Sequence, residues 1–151
     1  MARPVLPWIV AAAVIAADQA AKAAVVARLT PAESCPLIPR ILHLTYVQNT
    51  GMAFGLFRGY PLFFALLAVV VSIWIVTELA RPANPDALLA FSLAAILGGA
   101  LGNLIDRLRL GYVIDFIDLR VWPVFNVADS AITIGVALLL IHALFPSRRR
   151  G

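Results

Sequence analysis

From Ala87 to Ile105 the chain reads ALLAFSLAAILGGALGNLI, nineteen residues without a charge, and this run decides what kind of protein it is. A hydrocarbon core of about 30 Å needs about 20 helical residues at 1.5 Å rise, so the stretch is long enough to cross a bilayer. Three further charge-free runs accompany it: Pro4 to Ala17, Gly59 to Thr77 and Ser130 to Ser147. Composition agrees, with 62% hydrophobic and 13% charged residues and a mean hydropathy of +0.94. Soluble domains carry about 25% charge, and this chain has too few ionic groups to cover a compact water-exposed surface.

The first run has two readings. Arg3 followed by an apolar stretch also fits a cleavable secretory signal, with Ala23 to Ala27 resembling a cleavage region. The alanine-rich helical character nevertheless continues through Asp18 and Lys22 to Leu29, and retaining it predicts four spans, roughly 5–28, 59–79, 86–105 and 127–146, in one domain covering 1–151. The expected fold class is therefore membrane α-helical, with four transmembrane helices. Asp18 and Lys22 lie four residues apart, on one helix face, and are expected to form a structural ion pair. Ala94, Gly98 and Gly102 recur at intervals of four and make a ridge on which another helix can pack closely.

An even number of spans places both termini on one side, and Arg148, Arg149 and Arg150 after the fourth span assign that side to the cytoplasm. A plain count does not favour this orientation, since Arg28, Arg40, Arg58, Arg107, Arg109 and Arg120 then lie outside against Arg3, Arg81 and the triplet inside. The net charge of +4 is dispersed apart from the triplet, which argues against a nucleic-acid partner. Cys35, the single cysteine, excludes an internal disulfide and, with two separated histidines, makes a poor zinc site.

Two segments remain for the extracytoplasmic side. In the first, Pro31, Pro36 and Pro39 punctuate a loop, and Ile41-Leu42-His43-Leu44-Thr45-Tyr46-Val47 then reads as a short β element at the interface. Asn49-Thr50-Gly51-Met52-Ala53-Phe54-Gly55 follows it as a glycine-bearing loop suited to meeting a ligand through its backbone. The second segment, Asp106 to Asp129, holds half of the acidic residues yet includes Val113-Ile114, Phe116-Ile117, Val121-Trp122 and Val124-Phe125, so it should lie folded at the membrane surface.

Among reactive groups, Ser130 and His142 are twelve residues apart on a helix, about 18 Å along its axis, too far to act together. His43 has no obvious nucleophile partner, and nothing near Cys35 would activate its thiol. Carboxylates remain. Asp115 and Asp129 each sit in an apolar stretch, and the thirteen residues between them can fold back to bring the two acids to the mouth of the bundle. Low dielectric and mutual repulsion would then leave one of them protonated near neutral pH, so that the pair activates water on an amide without metal, cofactor or covalent intermediate. Duller roles stay open from spacing alone: Asp129 as an N-cap of the fourth span, with Asn126 and Ser130 as alternative caps, and Asp115 as a partner of Arg107 or Arg120.

Five blocks in order resemble the lipoprotein signal peptidases (signal peptidase II): Asp18-Gln19-Ala20-Ala21-Lys22, the Asn49–Gly55 loop, Gly98–Arg107, Gly111-Tyr112-Val113-Ile114-Asp115-Phe116, and Phe125-Asn126-Val127-Ala128-Asp129-Ser130. The resemblance implies an aspartic endopeptidase of the bacterial inner membrane, built from four helices with a small extracytoplasmic β-cradle and a gating helix. It implies that the enzyme removes signal peptides from prolipoproteins carrying a diacylglyceryl-cysteine, cutting just before that cysteine. Carried over by motif, Asp115 and Asp129 are the catalytic pair, Asn49, Gly51, Asn103, Arg107 and Asn126 line or support the substrate pocket, and Asp18 and Lys22 are scaffold. The connection between the two aspartates is short for such a protein. The expected partners are prolipoproteins and membrane lipid, with the protein working as a monomer. Two other classes compete: a small proton-linked transporter or channel subunit, because intramembrane carboxylates also mark ion paths, and a structural membrane protein whose charges only anchor helices.

Overall fold

The computed structural model describes residues 5–51, 61–81 and 86–145. Four helices long and apolar enough to cross a membrane are present: α1 (Leu6–Val26), α2 (Pro61–Leu79), α3 (Ala87–Leu110) and α4 (Val127–Leu144). Three strands, β1 (Ser34–Ile38), β2 (Leu42–Asn49) and β3 (Val113–Asp118), form one antiparallel sheet in the order β1-β2-β3. No further helix occurs among the described residues, so the gating helix implied by the family resemblance has no counterpart there; Met52 to Gly55 and Arg148 to Arg150 lie outside them.

α3 is the central post. It packs against each of the other three helices and buries fourteen of its residues, whereas α2 turns Leu62, Phe63, Leu66, Val70, Ile73 and Trp74 outward. So many exposed large apolar side chains on a folded helix make sense only with lipid around them. The expected ridge is real but faces one neighbour. A β-carbon on Gly98 would lie 2.7 Å from Val14 Cβ, and one on Gly102 would lie 2.8 Å from Asp18 Oδ2, so the ridge seats α1. The α3–α4 contact uses different glycines. At Gly99 a β-carbon would stand 2.4 Å from the Ala128 carbonyl oxygen, and at Gly135 it would stand 2.7 Å from Ile96.

Two expectations need correction. The charges at Asp106 and Arg107 do not end the third helix, which runs on to Leu110 and stops at Gly111 in the left-handed conformation (φ +79°). Asp106, Arg107 and Arg109 therefore belong to α3 and not to a separate surface segment. The proline-punctuated stretch is also no simple loop, because Ser34–Ile38 forms the edge strand β1 with Pro36 inside it. An edge tolerates proline because one side of the strand has no ladder to complete. Val25, Tyr46, Ile114 and Phe116 form a small buried cluster that ties the sheet to the end of α1.

Candidate active site

The sheet, the C-terminal turn of α3 and the first turn of α4 meet at one end of the bundle. There the chain after Asp115 turns back: Ile117 N–H donates to the Phe125 carbonyl (2.7 Å) and Phe125 N–H to the Ile117 carbonyl (3.1 Å). That closure delivers Asn126 to the N-cap of α4 with Asp129 at the third helical position. Asn126 Oδ1 accepts from Asp129 N–H (2.8 Å) and Asp129 Oδ2 accepts from Asn126 N–H (3.2 Å), a reciprocal capping box. Asn126 is thus the cap, and the alternative of Asp129 or Ser130 at that position is set aside.

Asp115 and Asp129 line the same cavity of about 850 Å³. Ile96, Ala100, Asn103 and Arg107 run along one face of α3 into it, apolar first and polar toward the sheet, while Leu67, Ala68 and Val71 of α2 face them. Asn49 and Gly51 line the cavity from the end of β2. Among the described lining residues the ionisable side chains are Asp115, Asp129 and Arg107 only. The hydroxyls there are occupied within α4: Ser130 donates to the Asn126 carbonyl (2.9 Å) and Thr133 to the Asp129 carbonyl (2.8 Å). His142 does not serve either hydroxyl as a base, since it pairs with Asp86 (3.3 Å) at the opposite end of the bundle.

Neutral amides hold both carboxylates. Asn49 Nδ2 donates to Asp115 Oδ2 (2.8 Å), and Asn49 Oδ1 is itself fixed by Gly51 N–H (2.9 Å). Asn126 Nδ2 donates to Asp115 Oδ1 (2.7 Å) and Asn103 Nδ2 to Asp129 Oδ1 (2.7 Å). Asn126 thereby touches both acids and, fully buried, also donates to Asn103 Oδ1 (3.0 Å), so it supports the cavity from behind. Neither Arg107 nor Arg120 pairs with Asp115; Arg120 bonds Asp118 instead (3.0 Å). Asp115 is 2% exposed, and its burial, reinforced by the charge of Asp129, raises its pKa to about 7 against the opposing pull of the asparagine hydrogen bonds and Lys22.

Asp18 and Lys22 do not line the cavity, and their pairing (2.8 Å) is only part of what they do. Lys22 Nζ also meets Asp106 Oδ2 (2.8 Å) and donates to Asn103 Oδ1 (3.0 Å). Asp18 Oδ1 accepts Ala128 N–H (2.9 Å), one residue before Asp129, and Asp106 Oδ2 accepts Ile114 N–H (3.0 Å), one residue before Asp115. The three charges clamp the two segments that carry the cavity acids. Asp106 and Gln19, whose amide donates to Asp106 Oδ1 (2.9 Å), were not singled out from the sequence although both stand in the quoted blocks. His43, read as lacking a nucleophile partner, has the Ser34 hydroxyl 3.2 Å from Nδ1 because β1 pairs with β2; this contact sits on the exposed sheet, away from the cavity.

Comparison with known proteins places this architecture. Residues 10–145 match the signal peptidase (SPase) II family. The chain is 50% identical over 139 residues to the lipoprotein signal peptidase of Moorella thermoacetica, covering 91% of this chain and 92% of that protein. It is 44% identical over 135 residues to that of Halothermothrix orenii, covering 89% and 92%. Two solved bacterial membrane enzymes, determined by the in meso method at 2.3 Å and 1.9 Å, superpose with TM-scores of 0.88 and 0.83 at 31% and 33% identity, covering 97% and 94% of this chain and 92% and 94% of theirs. Nothing in these likenesses favours the transporter alternative. This chain belongs to the signal peptidase II family, membrane-embedded aspartic-type peptidases that cleave signal peptides from prolipoproteins.

Proposed function

We propose that Asp115 and Asp129 are the catalytic pair and that they hydrolyse the amide bond just before the diacylglyceryl-modified cysteine of a prolipoprotein. The observation that carries this reading is their placement: two carboxylates open to one cavity, each held by neutral amide donors, with no cation within salt-bridge distance of either among the described residues. Such a pair shares a proton near neutral pH. The ionised carboxylate takes a proton from water as the water oxygen bonds to the scissile carbonyl carbon; the protonated partner gives its proton to the carbonyl oxygen. Collapse of the tetrahedral species breaks the C–N bond as the amine is protonated, releasing the signal peptide as a carboxylic acid and the lipidated cysteine as a free amine.

A signal helix must unwind locally to expose that bond, and its freed backbone groups need partners in place of water. Asn49, Gly51 and Arg107 line the cavity where such partners are required, and Asn103 and Asn126 keep the acids in register. The apolar wall of α2 and α3 receives the signal helix while the acyl chains remain in the outer leaflet. The first turn of α4 lies at the cavity and Arg148–Arg150 follow its other end in the sequence, so the cavity opens to the extracytoplasmic face when that triplet and both termini are cytoplasmic. One chain supplies both acids and their asparagine partners, which supports a protein that works as a monomer.

The test incubates purified wild-type, Asp115→Asn and Asp129→Asn proteins with one precursor, lipidated and unlipidated, and weighs the products. Each variant should stay folded in detergent and lose at least ~10³-fold in cleavage rate. Normal turnover by either variant rejects the pair; equal cleavage of the unlipidated precursor rejects the substrate class.

A further inference from the structure

Arg107 is the cation of the cavity, yet no carboxylate oxygen among the described residues lies within 4.0 Å of its guanidinium. It carries a fixed positive charge near two acids and feels the fields of Asp129, Asp115 and Asp106. Left to electrostatics alone, it would swing onto an aspartate, hold it ionised and occupy its own donors in the process. What it meets instead is the ring of Phe64, in the first turn of α2, with Cζ 5.6 Å from the ring centroid. Phe64 is buried, and the ring of Phe63 packs against it edge-on, with centroids 5.2 Å apart and planes at 83°. An aromatic face attracts a guanidinium through its quadrupole without neutralising it, and leaves the N–H groups at the rim of the guanidinium available.

We propose that Phe64 is a positioning residue: its ring retains Arg107 against the α2 wall, off the two aspartates, so that the guanidinium is ready for the unwound backbone of the substrate. This rests on the role given to Arg107 above. It also gives α2 a role beyond its apolar wall, because Phe64 couples the start of that helix to the end of α3. Contact between Arg107 and a substrate carbonyl exists from binding onward, so loss of the ring weakens ground state and transition state alike and appears in KM more than in kcat.

The experiment replaces Phe64 by mono-, di- and trifluorinated phenylalanine, which keep the shape of the ring while withdrawing its negative face, and by Leu. Each is made with Arg107 intact and with Arg107→Gln, and cleavage of a lipidated precursor is measured alongside thermal stability in detergent. Expected is a graded rise in KM with fluorination, reaching ~3- to 10-fold, with kcat nearly unchanged and no gradation once Arg107 is Gln. Fluorination without effect, or with the same effect in both backgrounds, overturns the role of Phe64. If Arg107→Gln alone leaves kinetics untouched, the substrate role of Arg107 fails first, and a residual fluorine gradation would then count against the coupling.

Discussion

Two pairs of acids stand at the same end of this bundle and differ in what surrounds them. Asp18 and Asp106 share the ammonium of Lys22 between them, at 2.8 Å on each side, and each also accepts a backbone N–H. Asp115 accepts the side-chain amide of Asn126 and Asp129 its backbone N–H, and both acids open into a cavity. The first pair has a cation held between its two members and is tied into the scaffold. The second has hydrogen bonds without matching charge, and a proton is then the cheapest counter-ion available to it. In the proposed mechanism, reactivity goes to the pair that has no lysine between its members.

The largest effect that would sharpen this comparison comes from Lys22→Met. Removing the ammonium leaves Asp18 and Asp106 buried, at 0% and 3% exposure, without a counter-charge, and breaking such a cluster costs about 3–5 kcal/mol. Thermal unfolding in detergent should show it directly, together with loss of cleavage as the backbone at Ala128 and Ile114 comes loose. Asp115→Asn, by contrast, should leave stability near that of the parent while abolishing activity. Equal stability of Lys22→Met and the parent would erase the distinction between the two pairs.

Gly99→Ala is expected to act on the second pair through the backbone. The added methyl meets the Ala128 carbonyl oxygen at 2.4 Å, so the N-terminus of α4, and Asp129 with it, must move outward from α3. Overpacking of this kind costs about 1–3 kcal/mol. Because the displacement falls on the segment that carries Asp129, kcat should fall by a larger factor than the loss of stability at assay temperature explains; an unchanged kcat in a folded Gly99→Ala protein would show that the pair tolerates such a shift.

The spans were legible because a bilayer imposes long charge-free runs, and four of them are present in the chain. The two cavity acids were legible as isolated charges in apolar stretches, though only the five-block resemblance separated them from capping and pairing roles. Other features depend on partners distant in sequence. Asp106 read as the end of a span because a charge beside a hydrophobic run usually marks the membrane surface, but Lys22, contributed by α1, lets it stay buried and the helix continue to Leu110. β1 was hidden by Pro36, which reads as a breaker until the strand is known to lie at an edge. Gly99 and Gly135 fall outside the regular ridge, and the partner of Phe64 lies on α3, beyond the reach of any local pattern.

The smallest predicted effect is also the most direct measure of the difference between the pairs. Asp115 has a pKa of about 7 in the folded protein and about 3.9 when unfolded, so between those values the folded state holds a proton that the unfolded chain has released. Stability contributed by this group therefore declines as pH rises through that window and levels off above it. Asp115→Asn cannot titrate and lacks the decline. From pH 6 to pH 7 the parent should lose up to ~1.4 kcal/mol relative to the variant, read as diverging denaturation curves in the same detergent. Cleavage by the parent should fall as pH rises past 7, where the shared proton is lost. Parallel curves would mean that Asp115 is ionised throughout, with some cation doing for it what Lys22 does for Asp18, and the contrast between the two pairs would collapse.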